Sequence, residues 1–581
     1  MADPFDLVVA GGRVYDGTGA ASLIRDVGVR GGVVAEISEG PLEGRRRVDA
    51  AGCWVTPGFI DLHTHYDAEV ELAPSLSESV RHGVTTVTLG SCSLSLAIGT
   101  PENLADMFCR VEAIPYEVVR PLLERSKSWQ GHVDYLEHLD SLPLGANVTS
   151  FCGHSAIRAH VMGIDRSLDR RVRPSEDELR GMERLLAESL DAGYLGLSIQ
   201  TLPWDKMGGD RLIRSRPLPS FFARWGEYRR LTRQLRARGR VFQGVPNITT
   251  KVNIVLFVLE SLGIFRRPLK TTVISMMDVR SNRGLYRLSG LLSRLANRFL
   301  RGNFRWQALP ELFDLWADGI DLVVFEEFGA GAAALHLQDA AARARLLLDP
   351  AYRARFRAQW TSAFLPKVFH RDFNQSKILA APDPAIVGKS FVDVARERGQ
   401  DPVDVFLDLV AQHGPALRWY TVMANDRPRA LEEIVAHPDI LVGFSDAGAH
   451  LRQMAHYNFP LRMLHLVRDA EARGRPVMTV ERAVHRLTGE IADWLGLPAG
   501  KIERGAKADL VVIDPAGLDG AVDEAHEAPI EGFGNMTRMV RRNERAVKAV
   551  LVSGRVAVEN GAPTPALGRE RGFGRVLRAK A

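Results

Sequence analysis

Eight short runs of apolar and β-branched residues recur along the middle of the chain: "GFIDLHTH", "GVTTVTLGSC", "NVTSFCGH", "YLGLSIQTL", "GRVFQGVPN", "TTVISMMD", "WYTVMAND" and "ILVGFSDAG". Helical stretches separate several of them. One, "PSEDELRGMERLLAESLDAG", opens on Pro174 and Ser175 and closes on Gly193. Strands alternating with helices fold into a parallel sheet covered by the helices, and eight such repeats predict an α/β fold, a (β/α)8 TIM-like barrel.

The two ends of the chain have a different texture. "DLVVAGGRVYDG", "DVGVRGGVVAEIS" and "RRVDAAGCWVTPG" pair strand-forming residues with glycine turns, and the pattern returns only in "GAKADLVVIDP" and "VKAVLVSGRVAVENG". The expected organisation is a small β-sandwich domain built from residues 1–57 and 500–560, bracketing a barrel over 58–499, with a solvated tail from 561 to 581. The stretch from about 285 to 415 is too long for a simple connection and is read as a mostly helical insertion.

With 581 residues, 46% hydrophobic and 25% charged, the chain has material for a large core. Its net charge of +5 comes from arginines interleaved with acids, which predicts no nucleic-acid partner. No membrane partner is expected either: "VNIVLFVLESLGIF" contains Asn253 and Glu260, is shorter than the roughly 20 residues of a spanning helix, and reads as a buried helix. The start "ADPFDLVVAGG" lacks the pattern of a secretory signal, so a cytoplasmic location is expected. Cys53, Cys92, Cys109 and Cys152 show no close pairing, against a disulfide framework or a zinc knuckle. Oligomeric state is open, a homo-oligomer included.

The chemistry concentrates at strand ends, where such folds carry their sites. His63 and His65, two apart on an extended segment, present both imidazoles to the same side and suit a zinc ion. Asp61 and Asp67 flank them, and the last run ends in Asp446 and His450. Taken alone, Asp446 reads equally as a helix cap and Cys92 as a buried inert thiol. His154 reads either as a donor to a substrate carbonyl or as a structural histidine. His370 and Arg371 read as lid contacts or plain surface.

The segments "PGFIDLHTHYD", "GVTTVTLGSCSLSLA", "NVTSFCGHSAIRAHVMG", "AGYLGLSIQTL", "GFSDAGAH" and "RLTGEIADWLGLPAGKIERGAKADLVVID" resemble the amidohydrolase superfamily, and within it the N-acyl-D-amino-acid deacylases, over nearly the whole chain. The resemblance implies His63, His65, Cys92 and Asp446 as metal ligands. It also implies attack on an amide of a small-molecule substrate by a metal-bound water, with Asp446 as general base. His154, Arg158 and His450 are the expected substrate contacts, with Lys251, Arg280 and Arg452 as further candidates for a substrate carboxylate.

The chain departs from the family on the fifth and sixth runs, where deacylases carry a histidine ligand each. Here "RVFQGVPNITTK" and "TTVISMMDVRSN" contain none; Gln243, Asn247, Met276, Met277 and Asp278 stand in that region. Thioether sulfur is a poor zinc ligand, whereas Asp278 offers an oxygen for a weak second ion. One tightly bound Zn2+ is therefore expected. Two other readings stand beside deacylation: a cyclic-amide hydrolase or deaminase, and a binding protein with a degraded metal site.

Overall fold

The computed structural model describes residues 4–248, 250, 252–365 and 367–580. The fold is α/β. Its centre is a set of parallel strands: β1 (Phe59–Asp61), β2 (Val84–Leu89), β3 (Asn147–Ser150, carried on by Cys152–Gly153), β4 (Gly196–Gln200), β5 (Val241–Val245), β6 (Lys270–Val273), β7 (Asn303–Ala308) and β8 (Ile440–Val442). Each pairs in parallel with the next, from Phe59 opposite Val84 to Trp306 opposite Ile440. Just past the last and first strands, Leu62 N donates to Gly443 O at 2.8 Å, and Thr64 bridges Ala447. Every residue of β2, β4 and β5 is buried, as strands covered on both faces must be.

The seventh strand differs from expectation. "WYTVMA" (Arg418–Ala424) lies between Phe313–Asp318 and Ser376–Ala380 in an antiparallel sheet of its own. Its burial alternates, with Trp419, Thr421 and Met423 inward, which is the mark of a sheet covered on one face. Its place between β6 and β8 is taken by "NFRWQA", whose Asn303, Arg305 and Gln307 hid it from a search for apolar runs. The insertion therefore begins after β7, and it contains strands as well as helices. A separate aromatic core holds it together, with Trp360 stacked on Phe373 at 4.4 Å between ring centroids.

The termini do pair with each other. Trp54–Pro57 runs antiparallel to Leu510–Ile513 and parallel to the first strand, Phe5–Val14. This ladder makes one nine-stranded hydrogen-bonded sheet from both ends, whose strands share one apolar core. The C-terminal stretch is not a solvated tail: Val148 N donates to Arg575 O, Leu577 N to Val148 O, and Phe573 and Leu577 are buried.

Local signals held where the chemistry was complete. The helix Glu176–Ala192 has a reciprocal capping box between Ser175 and Glu178, and Gly193 closes it at φ 103°; such a cap stabilises a helix by about 0.5–2 kcal/mol. By contrast, α1 (Val252–Ser261), expected to be buried, turns Val252, Val255 and Leu259 to solvent. Among the described residues no helix is long and apolar enough to cross a membrane.

Candidate metal centre

His63 and His65 leave the end of β1 on an extended segment. Thr64 between them points the other way and donates to Thr88 O on β2 at 2.7 Å, so the two imidazoles are held on the same side. Cys92 follows β2 through a tight turn in which Gly90, Cys92 and Ser93 all have positive φ. Gly90 is required there, because a Cβ would sit 2.1 Å from Phe151 O. Asp446 lies beyond β8 at φ 59°, and its backbone N–H donates to His63 O at 3.2 Å.

These turns bring four donors together. His63 Nε2 is 3.2 Å from Cys92 Sγ and 3.6 Å from Asp446 Oδ1; His65 Nε2 is 3.3 Å from the same oxygen. Donors around one tetrahedral zinc, at bond lengths of about 2.0–2.3 Å, stand roughly 3.3–3.8 Å apart, a spacing that these three pairs approach; Asp446 reaches the two imidazoles but lies outside the mutually close group that they form with Cys92. His63, His65 and Cys92 are the one group of three or more metal-ligating side chains gathered among the described residues.

The two imidazoles differ: burial opposes the charged form of His65, but the Asp446 carboxylate beside it outweighs burial and raises its pKa. Burial holds His63 down to about 4, so its imidazole is neutral near pH 7 and keeps a lone pair to give. Burial opposes the charged form of Asp446, but the His65 and His63 imidazoles outweigh it and keep the carboxylate ionised. Burial pushes Asp61 up to about 8; its carboxyl accepts from Ser445 Oγ and from His63 N at 3.2 Å.

Two buried glutamines stand beside the donors. Gln307 on β7 places Oε1 2.8 Å from His63 Nδ1, and Gln243 Nε2 stands 3.3 Å from the same nitrogen, so both amides hold the ring from the side away from Nε2. Gln243 on β5, fully buried, accepts from Cys92 N at 3.4 Å and donates to Ser91 Oγ at 3.4 Å. Asp278 supplies no oxygen for a second ion: Arg427 holds both its oxygens at 2.6 Å and Arg283 one at 3.0 Å.

Several expected substrate contacts have other partners. His154 Nε2 and Arg158 Nε lie 3.1 and 3.3 Å from the buried Glu227 carboxylate, and His154 Nδ1 is 3.1 Å from Ser220 Oγ. Both are sealed in the packing, because a buried guanidinium needs its counter-charge next to it. Arg280 pairs with Asp426, and Arg452 with Asp318 and Glu527; Lys251 lies outside the described residues. His370 and Arg371 belong to the insertion's own interior, bonded to Thr421 and Glu327. His450 does face the site region, in a cleft of about 180 Å3 that it lines with Arg110, Trp204, Asp205, Lys206 and Gln453.

Asp205, Lys206 and Gln307 escaped the sequence reading. The first two sit just beyond β4 in "TLPWDK", a polar pair at a strand's C-terminal end, which is a usable signal; Gln307 was hidden with its strand. Burial raises Asp205 to about 6, opposed by the His65 imidazole.

The chain is 48% identical over 564 residues to an uncharacterized protein of Mycobacterium tuberculosis (strain ATCC 25618 / H37Rv), covering 96% of this chain and 92% of that one. It is 28% identical over 524 residues to the D-aminoacylase of Alcaligenes xylosoxydans xylosoxydans, covering 89% of each. A crystal structure of N-acyl-D-glutamate deacylase from Bordetella bronchiseptica, complexed with zinc and a phosphonate inhibitor, shares the fold at a TM-score of 0.64 and 24% identity, over 99% of this chain and 100% of that one. A D-aminoacylase crystal structure gives 0.63 and 24% over the same shares. No family model matches the chain. The chain is thus similar over most of its length to a D-aminoacylase and an N-acyl-D-aspartate deacylase, and it shares the fold of solved D-aminoacylase structures.

Proposed function

We propose that the chain is a zinc-dependent amidohydrolase that removes the acyl group from an N-acyl amino acid of D configuration. The observation that carries this reading is the gathering of His63, His65 and Cys92, with Asp446 Oδ1 3.6 and 3.3 Å from the two imidazoles. The likeness to the Alcaligenes D-aminoacylase supports the substrate class.

A zinc ion held by these four side chains supplies Lewis-acid polarisation of a carbonyl and a lowered water pKa. Asp446 stays ionised at neutral pH and is 15% exposed, so Oδ1 can accept the proton of an attacking water and return it to the departing amide nitrogen. Gln307 and Gln243 hold the His63 ring and the Cys92 turn in place. Arg110 and Lys206 line the neighbouring cleft with Glu326, with which both pair, so a substrate carboxylate there would share them with that side chain.

The scaffold for this chemistry is read as a (β/α)8 barrel over residues 58–499, with the helix and strand insertion between β7 and β8 and the terminal sheet from 1–57 and 500–560. The hydrogen bond from Leu62 to Gly443 supports closure between β8 and β1. All four cysteines are free, as suits a cytoplasmic chain.

The test is a panel of N-acyl-D- and N-acyl-L-amino acids with metal content measured on the same sample. Zinc with turnover of D substrates is the expected result. Turnover of cyclic amides or amino-heterocycles instead would reassign the substrate class, and a folded, metal-free, inactive protein would refute the enzyme reading.

A further inference from the structure

α1 and α2 (Leu285–Phe299) pack over β6 and β7, meet where Gly263 approaches Arg301 O, and leave an apolar face uncovered. On α2, Leu288, Leu291, Leu292, Leu295 and Phe299 follow helical spacing along one stripe, all exposed. Val255 and Leu259 continue the surface on α1, and Phe265, fully exposed, stands beyond its end. A soluble monomer rarely leaves so contiguous an apolar patch without a use for it.

The charge around this patch selects its partner. Of the nine lysines and arginines in residues 252–301, Arg280, Arg283 and Arg287 pair with Asp426 and Glu433, and Arg266 with Glu260, whereas among the described residues no ion pair holds Arg267, Arg294, Arg298 or Arg301. Arg266, Arg267, Arg294, Arg298 and Arg301 are exposed beside the apolar stripe. A two-fold contact with a second copy would set this uncompensated positive charge against itself. An anionic bilayer takes both features at once: leucines enter the acyl boundary while guanidinium groups meet lipid phosphates.

A cleft of about 630 Å3 opens between the same helices, lined by Ile254 of α1, Leu285 of α2, Met276 and Met277 after β6, and Trp306 of β7. Phe364 of the insertion, also fully exposed, lies at this cleft.

We propose that the α1–α2 face docks the protein on an anionic lipid surface. The expectation of no membrane partner rested on the lack of a spanning segment, and a helix lying in the interface needs none. This inference does not rest on the hydrolase reading, because docking can be measured without turnover.

The experiment is co-sedimentation of the full chain with vesicles of phosphatidylcholine alone and of roughly three parts phosphatidylcholine to one of phosphatidylglycerol. Binding to the mixed vesicles, weaker at high salt and weaker without phosphatidylglycerol, is expected. Leu291→Ser with Leu295→Ser, and separately Arg294→Glu with Arg298→Glu, should each lower it about tenfold, with zinc content and circular dichroism unchanged. A wild-type chain that stays in the supernatant overturns the proposal. So does equal binding by both variants, or a wild-type dimer that the leucine variant splits into monomers.

Discussion

Gln307 Oε1 sits 2.8 Å from His63 Nδ1, on the opposite side of the ring from Cys92 and Asp446. A side chain two strands away from the family's missing ligands thus orients a ligand that remains. Such a partner raises imidazole basicity and fixes the ring, and its loss typically costs about 10- to 100-fold in metal affinity. Gln307→Leu should therefore release zinc to a competing chelator at that much lower chelator concentration, while Gln307→Glu should hold it at least as well as wild type. Equal retention by the leucine variant would remove this role.

Asp446→Asn should lower turnover about 100- to 10,000-fold without unfolding the chain, because an amide does not accept the water's proton at neutral pH. Steady-state kinetics on an N-acyl-D-amino acid, with the thermal transition measured in parallel, decides it. Turnover within a factor of a few of wild type would rule out the base assignment.

Asp278 is held by Arg427 and Arg283 rather than by a second ion. Asp278→Asn should leave zinc content unchanged but lower stability by roughly 1–3 kcal/mol, discounted because Arg427 is half exposed. Urea unfolding and elemental analysis of the same preparation separate this from a ligand role, which would cost metal.

Glu78, buried, accepts from Arg542 at 2.6 Å and lies 3.4 Å from His82. Burial opposes its ionisation, but the hydrogen bonds from His82 and Arg542 outweigh it and hold the carboxyl far below its ordinary value of 4.5. A depressed carboxyl contributes stability that is complete above that ordinary value and lost as pH falls toward the folded-state value. Acid unfolding of wild type should therefore steepen below about pH 4.5, and Glu78→Gln should start less stable and show a shallower acid dependence. Parallel pH profiles for the two proteins would contradict it.

The features legible in the sequence were those with short-range causes. The His63–His65 spacing, the helix opening at Ser175 and closing at Gly193, and the strand texture at both termini all act over a few residues. Longer-range facts were not legible. "NFRWQA" carries Gln307 inward to meet His63, 244 residues away in sequence, so its polar residue marks a site rather than a surface. Arg158 looked like a substrate clamp until Glu227 stood beside it. The sequence showed that α1 is apolar; whether a neighbour covers it is decided by tertiary packing.

The central claim is that His63, His65, Cys92 and Asp446 form a one-ion site, with Gln243 and Gln307 in supporting positions. Elemental analysis of the dialysed protein tests it most directly. The account predicts one zinc per chain, lost when His63 and His65 are both replaced by alanine. Two ions retained per chain, or one ion that survives the double replacement, would contradict it.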